Sequence, residues 1–450
     1  MKNKNKVLGI IALIAIIGFS MAACAPEPEP VPDLPGTIAI NPSTGVTTGT
    51  ELTATYSGTE TTVGYQWKKG DTNVGTNSNK FTPTEAGSYT VTVSAAGYKS
   101  KTSAAVTVTV PTGPQWKTVL NSSFGPTNIS AIAYGNNVFV AGGYNGKMAY
   151  SADGVTWTAV TTQADNPFWR GEQDYIYSIA FGGGKFVAVG PGGDDSSDNS
   201  YTIAAYSTDG KTWTKGNFGS ATDKSTSSFT LSYCKDMFVA RGSSSQYVTS
   251  TDGLTWEDKG SGKIPIQTIA YGNDIFVAGA DNMFYGSPLS KGTKIAISPD
   301  GGTWNGSDTT WVLKDVSGSF TGIPADDIAF RKIIFENGKF IALFGKTLTT
   351  SAGKITTSTD GVTWTTPVSS TMVNPLSIVY GNNKFVVSGY DMQGSNFKAK
   401  IATSTDGGAT WTSTDVSSIF SGLPLIYIAY GSSKFVVVGQ AGKIAYLEDN

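Results

Sequence analysis

One seven-residue motif recurs through most of this chain of 450 residues. Its six copies are Ser151–Trp157, Ser207–Trp213, Ser250–Trp256, Ser298–Trp304, Ser358–Trp364 and, with one additional residue, Ser404–Trp411. The pattern is Ser-x-Asp-Gly-x-Thr-Trp, in which Asp and Gly tolerate turn conformations and the Ser and Asp side chains hydrogen-bond nearby backbone. The tryptophan packs as an apolar anchor for the following strand. The motif therefore predicts a tight turn between two strands, repeated along the chain.

A second pattern divides the same region into seven units. In each unit a short apolar strand ends in an aromatic residue, a turn such as Gly135-Asn136-Asn137 follows, and a phenylalanine stands five residues after the aromatic. The pairs are Tyr134 and Phe139, Phe181 and Phe186, Tyr233 and Phe238, Tyr271 and Phe276, Phe335 and Phe340, Tyr380 and Phe385, and Tyr430 and Phe435. Four antiparallel strands repeated every roughly 40 to 60 residues are typical of β-propeller blades. We predict an all-β protein, with a seven-bladed β-propeller over residues 115–450.

The seventh unit ends after its third strand, at Lys443–Tyr446, without a copy of the motif. The segment Gln115–Val119 resembles the strand that follows each motif, with Trp116 in the tryptophan position. We therefore predict that residues 115–119 supply the missing strand and close the ring, which leaves no open sheet edge between the first and last blades.

The N-terminus has the anatomy of an exported lipoprotein. In residues 1–23, three lysines precede the apolar run Val7–Phe19, as in a signal peptide. The segment Met21–Cys24 resembles a bacterial lipobox, with Met21 where that pattern prefers leucine, so the resemblance implies lipidation of Cys24. Residues 24–35 are rich in proline and glutamate, which predicts an extended tether. The expected location is the bacterial cell envelope, anchored by lipid and facing either the periplasm or the outside.

Residues 36–110 alternate apolar and polar side chains between short turns, as in a β-sandwich. Gly64-Tyr65-Gln66-Trp67 and the later segment Ala86–Val91 resemble bacterial immunoglobulin-like modules. The resemblance implies that Trp67 is the core tryptophan and Tyr89 the tyrosine-corner residue of an N-terminal immunoglobulin-like domain. Such modules usually act as spacers.

Composition excludes several classes of function. The chain has no histidine, which removes the commonest general base and the commonest metal ligand, and we expect no metal site and no cofactor. Its formal net charge of −2 is unsuited to a nucleic-acid partner. Of the two cysteines, Cys24 is the lipidation candidate, so Cys234 has no intramolecular partner and is expected to be a thiol without a task.

The repeated motif resembles the Asp box, or BNR repeat, of sialidases and other β-propellers. Sialidases also need three arginines that grip a carboxylate, a tyrosine nucleophile assisted by a glutamate, and an aspartic acid. The chain has three arginines, Arg170, Arg241 and Arg331, but neither Arg170 nor Arg241 precedes the Ile-Pro pair of the first sialidase arginine. Sialidase domains also resemble six-bladed rather than seven-bladed propellers. The chain is equally similar to non-catalytic Asp-box propellers, such as photosystem II assembly-factor-like proteins and the sortilin type, which bind other proteins.

The motif lies at the outer turn of each blade, far from a ligand in a central channel, so its aspartates are predicted to be structural. They are Asp153, Asp209, Asp252, Asp300, Asp360 and Asp406. Ligand-binding residues are expected on the opposite face, in loops that differ between blades and carry aromatic and polar side chains. The candidates are Trp169, Arg170, Tyr175, Asp194, Asp195, Arg241, Phe284, Tyr285, Arg331, Tyr390 and Asp391.

These observations favour a membrane-anchored binding protein whose loop face engages a glycan or a polypeptide, rather than an enzyme. The alternative is an extracellular glycoside hydrolase, either sialidase-like or dependent on a pair of carboxylates. The sequence indicates no oligomeric state.

Overall fold

The computed structural model describes residues 30–110, 115–162, 164–168, 175–194, 197–216, 230–241, 246–261, 266–280, 294–301, 311–320, 323, 329–345, 352–393, 396–420 and 423–448. The chain forms two compact units, Met1–Thr112 and Gly113–Asn450. The predicted signal peptide and Cys24 lie outside the described residues.

The N-terminal unit is a two-sheet β-structure. Its strands are Ile38–Asn41 (β1), Val46–Thr47 (β2), Leu52–Tyr56 (β3), Gly64–Lys69 (β4), Thr72–Val74 (β5), Lys80–Phe81 (β6), Gly87–Ser94 (β7), Lys101–Thr102 (β8) and Val106–Thr109 (β9). One sheet has the order β1-β3-β6, and the other has β2-β9-β7-β4-β5 with β8 beside β7. Trp67 is fully buried and stacks on Phe81, with ring centroids 5.5 Å apart. The Tyr89 hydroxyl donates to the carbonyl of Glu85 at 2.8 Å. The immunoglobulin-like assignment stays an interpretation of these features.

The C-terminal unit begins with Lys117–Thr118 (β10) and continues as seven groups of strands, which we call blades one to seven. The strands of blades one to three are Ile129–Gly135, Val138–Gly143, Met148–Ser151 and Thr158–Ala159 (β11–β14), Ser178–Gly182, Lys185–Asp194, Ser197–Ser207 and Thr214–Lys215 (β15–β18), and Thr230–Cys234, Met237–Arg241, Gln246–Ser250 and Glu257–Ser261 (β19–β22). Those of blades four and five are Ile266–Gly272, Ile275–Ala280, Lys294–Ser298 and Val312–Asp315 (β23–β26), and Phe330–Glu336, Lys339–Phe344, Lys354–Ser358 and Val368–Ser369 (β27–β30). Those of blades six and seven are Asn374–Gly381, Lys384–Gln393, Asn396–Ser404 and Thr412–Asp415 (β31–β34), and Leu425–Gly431, Lys434–Gly439 and Ile444–Glu448 (β35–β37).

The blades form a closed ring. Each of blades one to six is a four-stranded antiparallel sheet in chain order, and the seventh has the order β10-β37-β36-β35. Within that last sheet Lys117 pairs with Tyr446 and Thr118 with Ala445. The first strand of each blade contacts the first strand of the next, and β35 contacts β11. The prediction of an all-β, seven-bladed propeller is confirmed, and the seven first strands surround the central channel.

The conserved spacing of the aromatic residues has a steric basis at the junction between blades. The glycine that follows the aromatic in one blade lies against the aromatic ring of the next. A β-carbon placed on Gly135 would come within 2.1 Å of the Phe181 ring, and one on Gly182 within 2.0 Å of Tyr233. Only glycine leaves room for such close approach. Blades three and five depart from this rule, with Cys234 and Glu336 at the same position.

The repeated motif forms the predicted turn between the third and fourth strands. In blade one, Asp153 Oδ1 accepts the backbone N–H groups of Val155 and Thr156 at 2.8 and 2.7 Å and the Ser151 hydroxyl at 2.9 Å. Trp157 Nε1 donates to the carbonyl of Gly154 at 3.2 Å, and its ring is buried. Partial burial opposes ionisation of Asp153, but these donors outweigh it and lower the pKa of the carboxyl. The aspartate thus fixes the turn conformation.

Blade four differs from the sequence expectation, which starts each fourth strand at the motif tryptophan. Trp304 lies outside the described residues, and the fourth strand is Val312–Asp315, directly after Trp311. The Trp311 ring is buried and packs 6.2 Å from Phe276, much as Trp213 packs 6.4 Å from Phe186 in blade two. The buried Trp311 therefore anchors the fourth strand of blade four, seven residues after the motif tryptophan Trp304.

Short helical turns occupy Ser317–Phe320, Ser417–Phe420 and Gln440–Gly442. The first two bury Phe320 and Phe420 beneath the sheets. Among the residues that the structure describes, no helix has the length and apolar character needed to cross a bilayer.

Candidate functional site

The loop face is the side of the ring formed by connections between second and third strands and between successive blades. Several predicted ligand-binding residues on it cannot be placed. Trp169, Arg170, Asp195, Phe284 and Tyr285 lie outside the described residues, and for Asp194 only the strand position is described. The site is therefore built from the remaining candidates, Tyr175, Arg241, Arg331, Tyr390 and Asp391, and from their neighbours.

A cluster of four tyrosines, which we call the tyrosine surface, spans blades seven, one and two. It consists of Tyr144, Tyr175, Tyr177 and Tyr427. Tyr144 leaves the second strand of blade one and forms an antiparallel bridge with Tyr175, which precedes the first strand of blade two. Their rings meet edge to face with centroids 4.6 Å apart, and Tyr175 stacks on Tyr177 at 6.0 Å. Backbone pairing thus fixes aromatic rings from two blades at one point.

Tyr427, on the first strand of blade seven, completes this surface. Burial raises the pKa of Tyr427, and Tyr144 adds a smaller contribution in the same direction. Burial also raises the pKa of Tyr177, with contributions from Tyr175 and Tyr144. Tyr144 and Tyr427 nevertheless expose 40% and 37% of their surface. The surface therefore offers partly exposed aromatic side chains to a ligand.

Arg241 does not belong to an exposed surface. Its side chain is only 5% exposed, and Nη1 donates to Oε1 of Gln267 on blade four at 2.8 Å. The neighbouring Tyr247 is fully buried, and its hydroxyl accepts the backbone N–H of Ile266 at 2.5 Å. This arrangement ties blade three to blade four, so the described contacts of Arg241 are structural.

Arg331 lies on the first strand of blade five, and Tyr390 lies on the second strand of blade six. Burial raises the pKa of Tyr390, and the positive charge of Arg331 opposes that shift. Tyr390 also meets Phe397 edge to face at 5.2 Å. The adjacent Asp391 accepts the backbone N–H of Val373 at 2.7 Å and pairs with Lys400 at 2.6 Å. Asp391 is therefore engaged within its own blade.

In blades two and six, the connections between the second and third strands are extended hairpins. In blade two the strands continue through Asp194 and from Ser197, and in blade six they continue through Gln393 and from Asn396. Asp194 pairs with Ser197, and Gln393 with Asn396, so backbone pairing persists almost to the tips.

The central channel has a volume of about 360 Å³ and is lined mainly by aliphatic and aromatic side chains of the first strands. Lys332 and Glu336, both on the first strand of blade five, also line it. Burial lowers the pKa of Lys332. Cys234 faces the same channel from blade three, but it is only 4% exposed and burial raises its pKa to about 12. That thiol is poorly suited to chemistry at neutral pH.

Sequence reasoning missed Tyr144, Tyr177, Tyr427 and Lys332. A comparison of the blades at one position contains a signal for two of them. Three residues before the strand-ending aromatic, five blades carry small side chains, which are Ala131, Ser178, Thr230, Thr268 and Ser377. The remaining two blades carry Lys332 and Tyr427. A residue that differs from its counterparts in the other blades is not required by the blade structure, so it is a candidate for a functional role.

Fold and site together define the C-terminal unit as a seven-bladed β-propeller with an aromatic loop face. No protein-family model matches the sequence, and the search of curated proteins gives no match.

Solved structures that resemble the chain include YCF48 bound to D1 peptide, with 15% identity, 75% of this chain and 96% of that chain covered, and a TM-score of 0.48. Virginiamycin B lyase from Staphylococcus aureus gives 12% identity, coverage of 75% and 99%, and a TM-score of 0.49. The GH74 xyloglucanase from Xanthomonas campestris gives 14% identity, coverage of 74% and 53%, and a TM-score of 0.48. At these values the likeness carries no inference about activity or ligand.

Proposed function

We propose that this protein is an exported, lipid-anchored binding protein whose loop face engages a glycan or a polypeptide. The observation that carries the proposal is the tyrosine surface, where residues from three blades converge and Tyr144 and Tyr427 are exposed. Tyrosine presents a large, rigid contact area with a polar end, which makes it a frequent binding residue. The channel beside it supplies a concave centre to the same face.

The described chemistry supports binding more directly than catalysis. Asp391 is held by Lys400 and a backbone N–H, and Arg241 is buried against Gln267. The hydrolase alternative needs converging arginines or a pair of carboxylates, and Arg170 and Asp195 lie outside the described residues. No described observation favours it, so it enters as an outcome of the experiment below.

The test uses the full chain on glycan and peptide arrays, with a fluorogenic glycoside panel in parallel. We expect saturable binding to one ligand class and no turnover. The variant Tyr144→Ala should bind that ligand more weakly, whereas Tyr150→Ala, a change on the third strand of blade one, should not alter binding. If the protein hydrolyses a glycoside and Asp194→Asn or Asp195→Asn abolishes that activity, the binding proposal is wrong and the protein is a glycoside hydrolase.

Export and anchoring need a separate experiment because they depend on residues 1–35. We expect metabolic labelling with palmitate to mark the wild-type protein and to be lost in Cys24→Ala. An unlabelled wild-type protein released into the medium would contradict the anchor and leave the binding role to be judged by the arrays.

A further inference from the structure

We propose that the central channel is a second binding site, which takes the carboxylate group of a small, partly apolar organic acid through the ammonium group of Lys332. This site is distinct from the tyrosine surface. It does not require that the surface bind a glycan or a polypeptide.

The position of Lys332 is the first argument. It stands on the innermost strand of blade five, where five other blades have alanine, serine or threonine, and its side chain lines the channel. The other blades fold without a positively charged side chain at this position, and Thr268 in blade four is an example. Its hydroxyl accepts the backbone N–H of Ile333 at 2.7 Å and thereby joins two blades. A lysine in this place is therefore not needed for ring assembly.

The second argument is the electrostatic environment of the ammonium group. Among the described residues, no carboxylate lies within ion-pair distance of Lys332. Cys234 lines the same channel, but its thiol supplies no negative charge at neutral pH because burial raises its pKa to about 12. Lys332 is half-buried, and an ammonium group partly removed from water without a counter-ion is unfavourable, so a bound anion would stabilise it.

Charge and lining together select the class of ligand. One ammonium group balances the single charge of a carboxylate better than the higher charge of a phosphate monoester. Around it the channel presents aliphatic side chains such as Ile132, Ile179 and Ile428. Glu336 lies four residues further along the same strand, roughly 13 Å away at the usual rise per residue. An acid with its carboxylate near Lys332 therefore places its apolar part between two oppositely charged ends of the channel.

Calorimetric titration of the full chain with hexanoate tests the site, with hexanamide as a neutral probe of the same shape. We expect the wild type to bind hexanoate saturably and hexanamide at least about tenfold more weakly, the effect of losing one charge-assisted hydrogen bond. Lys332→Met and Lys332→Gln should lose hexanoate binding to the same extent. Lys314→Met, on the outer strand of blade four, should bind like the wild type.

The near-ultraviolet circular dichroism of each variant establishes that it is folded, and two replacements at Lys332 guard against one failing to fold. Absence of saturable hexanoate binding by the wild type would overturn the proposal. It would also be overturned if both Lys332 variants kept the wild-type affinity, or if Lys314→Met lost binding equally. Because hexanoate is too small to span the tyrosine surface, these results are independent of the array experiments.

Discussion

The side-chain amide of Asn136 in blade one donates a hydrogen bond of 2.8 Å to the backbone carbonyl of Thr208 in blade two. Thr208 is the second residue of the repeated motif, so the first hairpin of one blade rests on the turn of the next. Equivalent bonds join Lys185 to Asp252, Lys235 to Pro299, Asn273 to Thr359, Lys339 to Gly407 and Ser432 to Ala152. The motif therefore does more than reverse the chain within a blade. It provides acceptor carbonyls that lock neighbouring blades together.

Removing one of these bonds should weaken the ring. Lys185 Nζ lies 3.0 Å from the carbonyl of Asp252, and Lys185→Met keeps the aliphatic stem while deleting the donor. We expect a loss of about 0.5–1.5 kcal/mol in the free energy of unfolding, the usual contribution of one hydrogen bond. Urea denaturation measures it, with Lys314→Met as the matched control. Equal stability of the two variants would show that the bond contributes nothing.

Closure of the ring should depend on apolar packing rather than on the surface ion pair. Lys117 Nζ lies 2.9 Å from a carboxylate oxygen of Glu448, but both side chains are about half exposed. Lys117→Ala should therefore cost below about 1 kcal/mol. Trp116 packs against the buried cluster between blades six and seven, and Trp116→Ala should cost roughly 2–4 kcal/mol. Thermal unfolding in low and high salt separates the two effects, and a larger loss from Lys117→Ala would contradict this account.

Protonation of the motif aspartates at low pH should reduce the stability of the folded protein. At Asp360 partial burial favours the protonated form, but the N–H groups of Thr363 and Val362 outweigh it and lower the pKa to about 2. A depressed folded-state pKa adds stability that is present above the unfolded pKa, near 3.8. That stability is lost as the pH falls from about 4 towards 2. Because this carboxylate is largely exposed, solvent screening limits its contribution to about 1 kcal/mol.

The corresponding measurement is the melting temperature between pH 5 and pH 2 for the wild type and Asp360→Asn. We expect the variant to be less stable at pH 5 and the two curves to converge below pH 3. Parallel curves throughout this range would show that ionisation of Asp360 does not stabilise the turn.

Cys234 should be unreactive in the folded protein. Burial raises the pKa of its thiol to about 12, and only 4% of the residue is exposed. We expect negligible alkylation by iodoacetamide at pH 8 in buffer and rapid alkylation in denaturant. Peptide mass spectrometry follows Cys234 separately from Cys24. Fast alkylation in buffer would mean that the channel opens around blade three.

The sequence predicted the blade count because turn chemistry and aromatic spacing are local and repeat in every unit. Asp153 and Trp157 lie four residues apart, and their roles follow from side-chain chemistry within one turn. The anchoring position of Trp311 was not predicted because this residue stands seven positions after the motif tryptophan, outside the repeated pattern. Its anchoring role depends on contact with Phe276, which the local pattern does not encode.

The site was less predictable because its members come from distant parts of the chain. Tyr144 and Tyr427 are brought together only when blade seven closes on blade one. Arg241 was predicted to lie on the loop face, but its side chain is buried and donates to Gln267. The direction of a side chain at a strand end is set by packing with the neighbouring blade, which one strand's sequence does not reveal.

The dissociation constant of the best array ligand for Tyr175→Ala tests the role of the loop face most directly. Tyr175 contacts both Tyr144 and Tyr177, so its loss removes the centre of the surface. We predict binding at least about tenfold weaker than wild type, and Tyr175→Phe within about threefold because the ring is kept. Wild-type affinity in Tyr175→Ala, with the fold intact, would contradict the account.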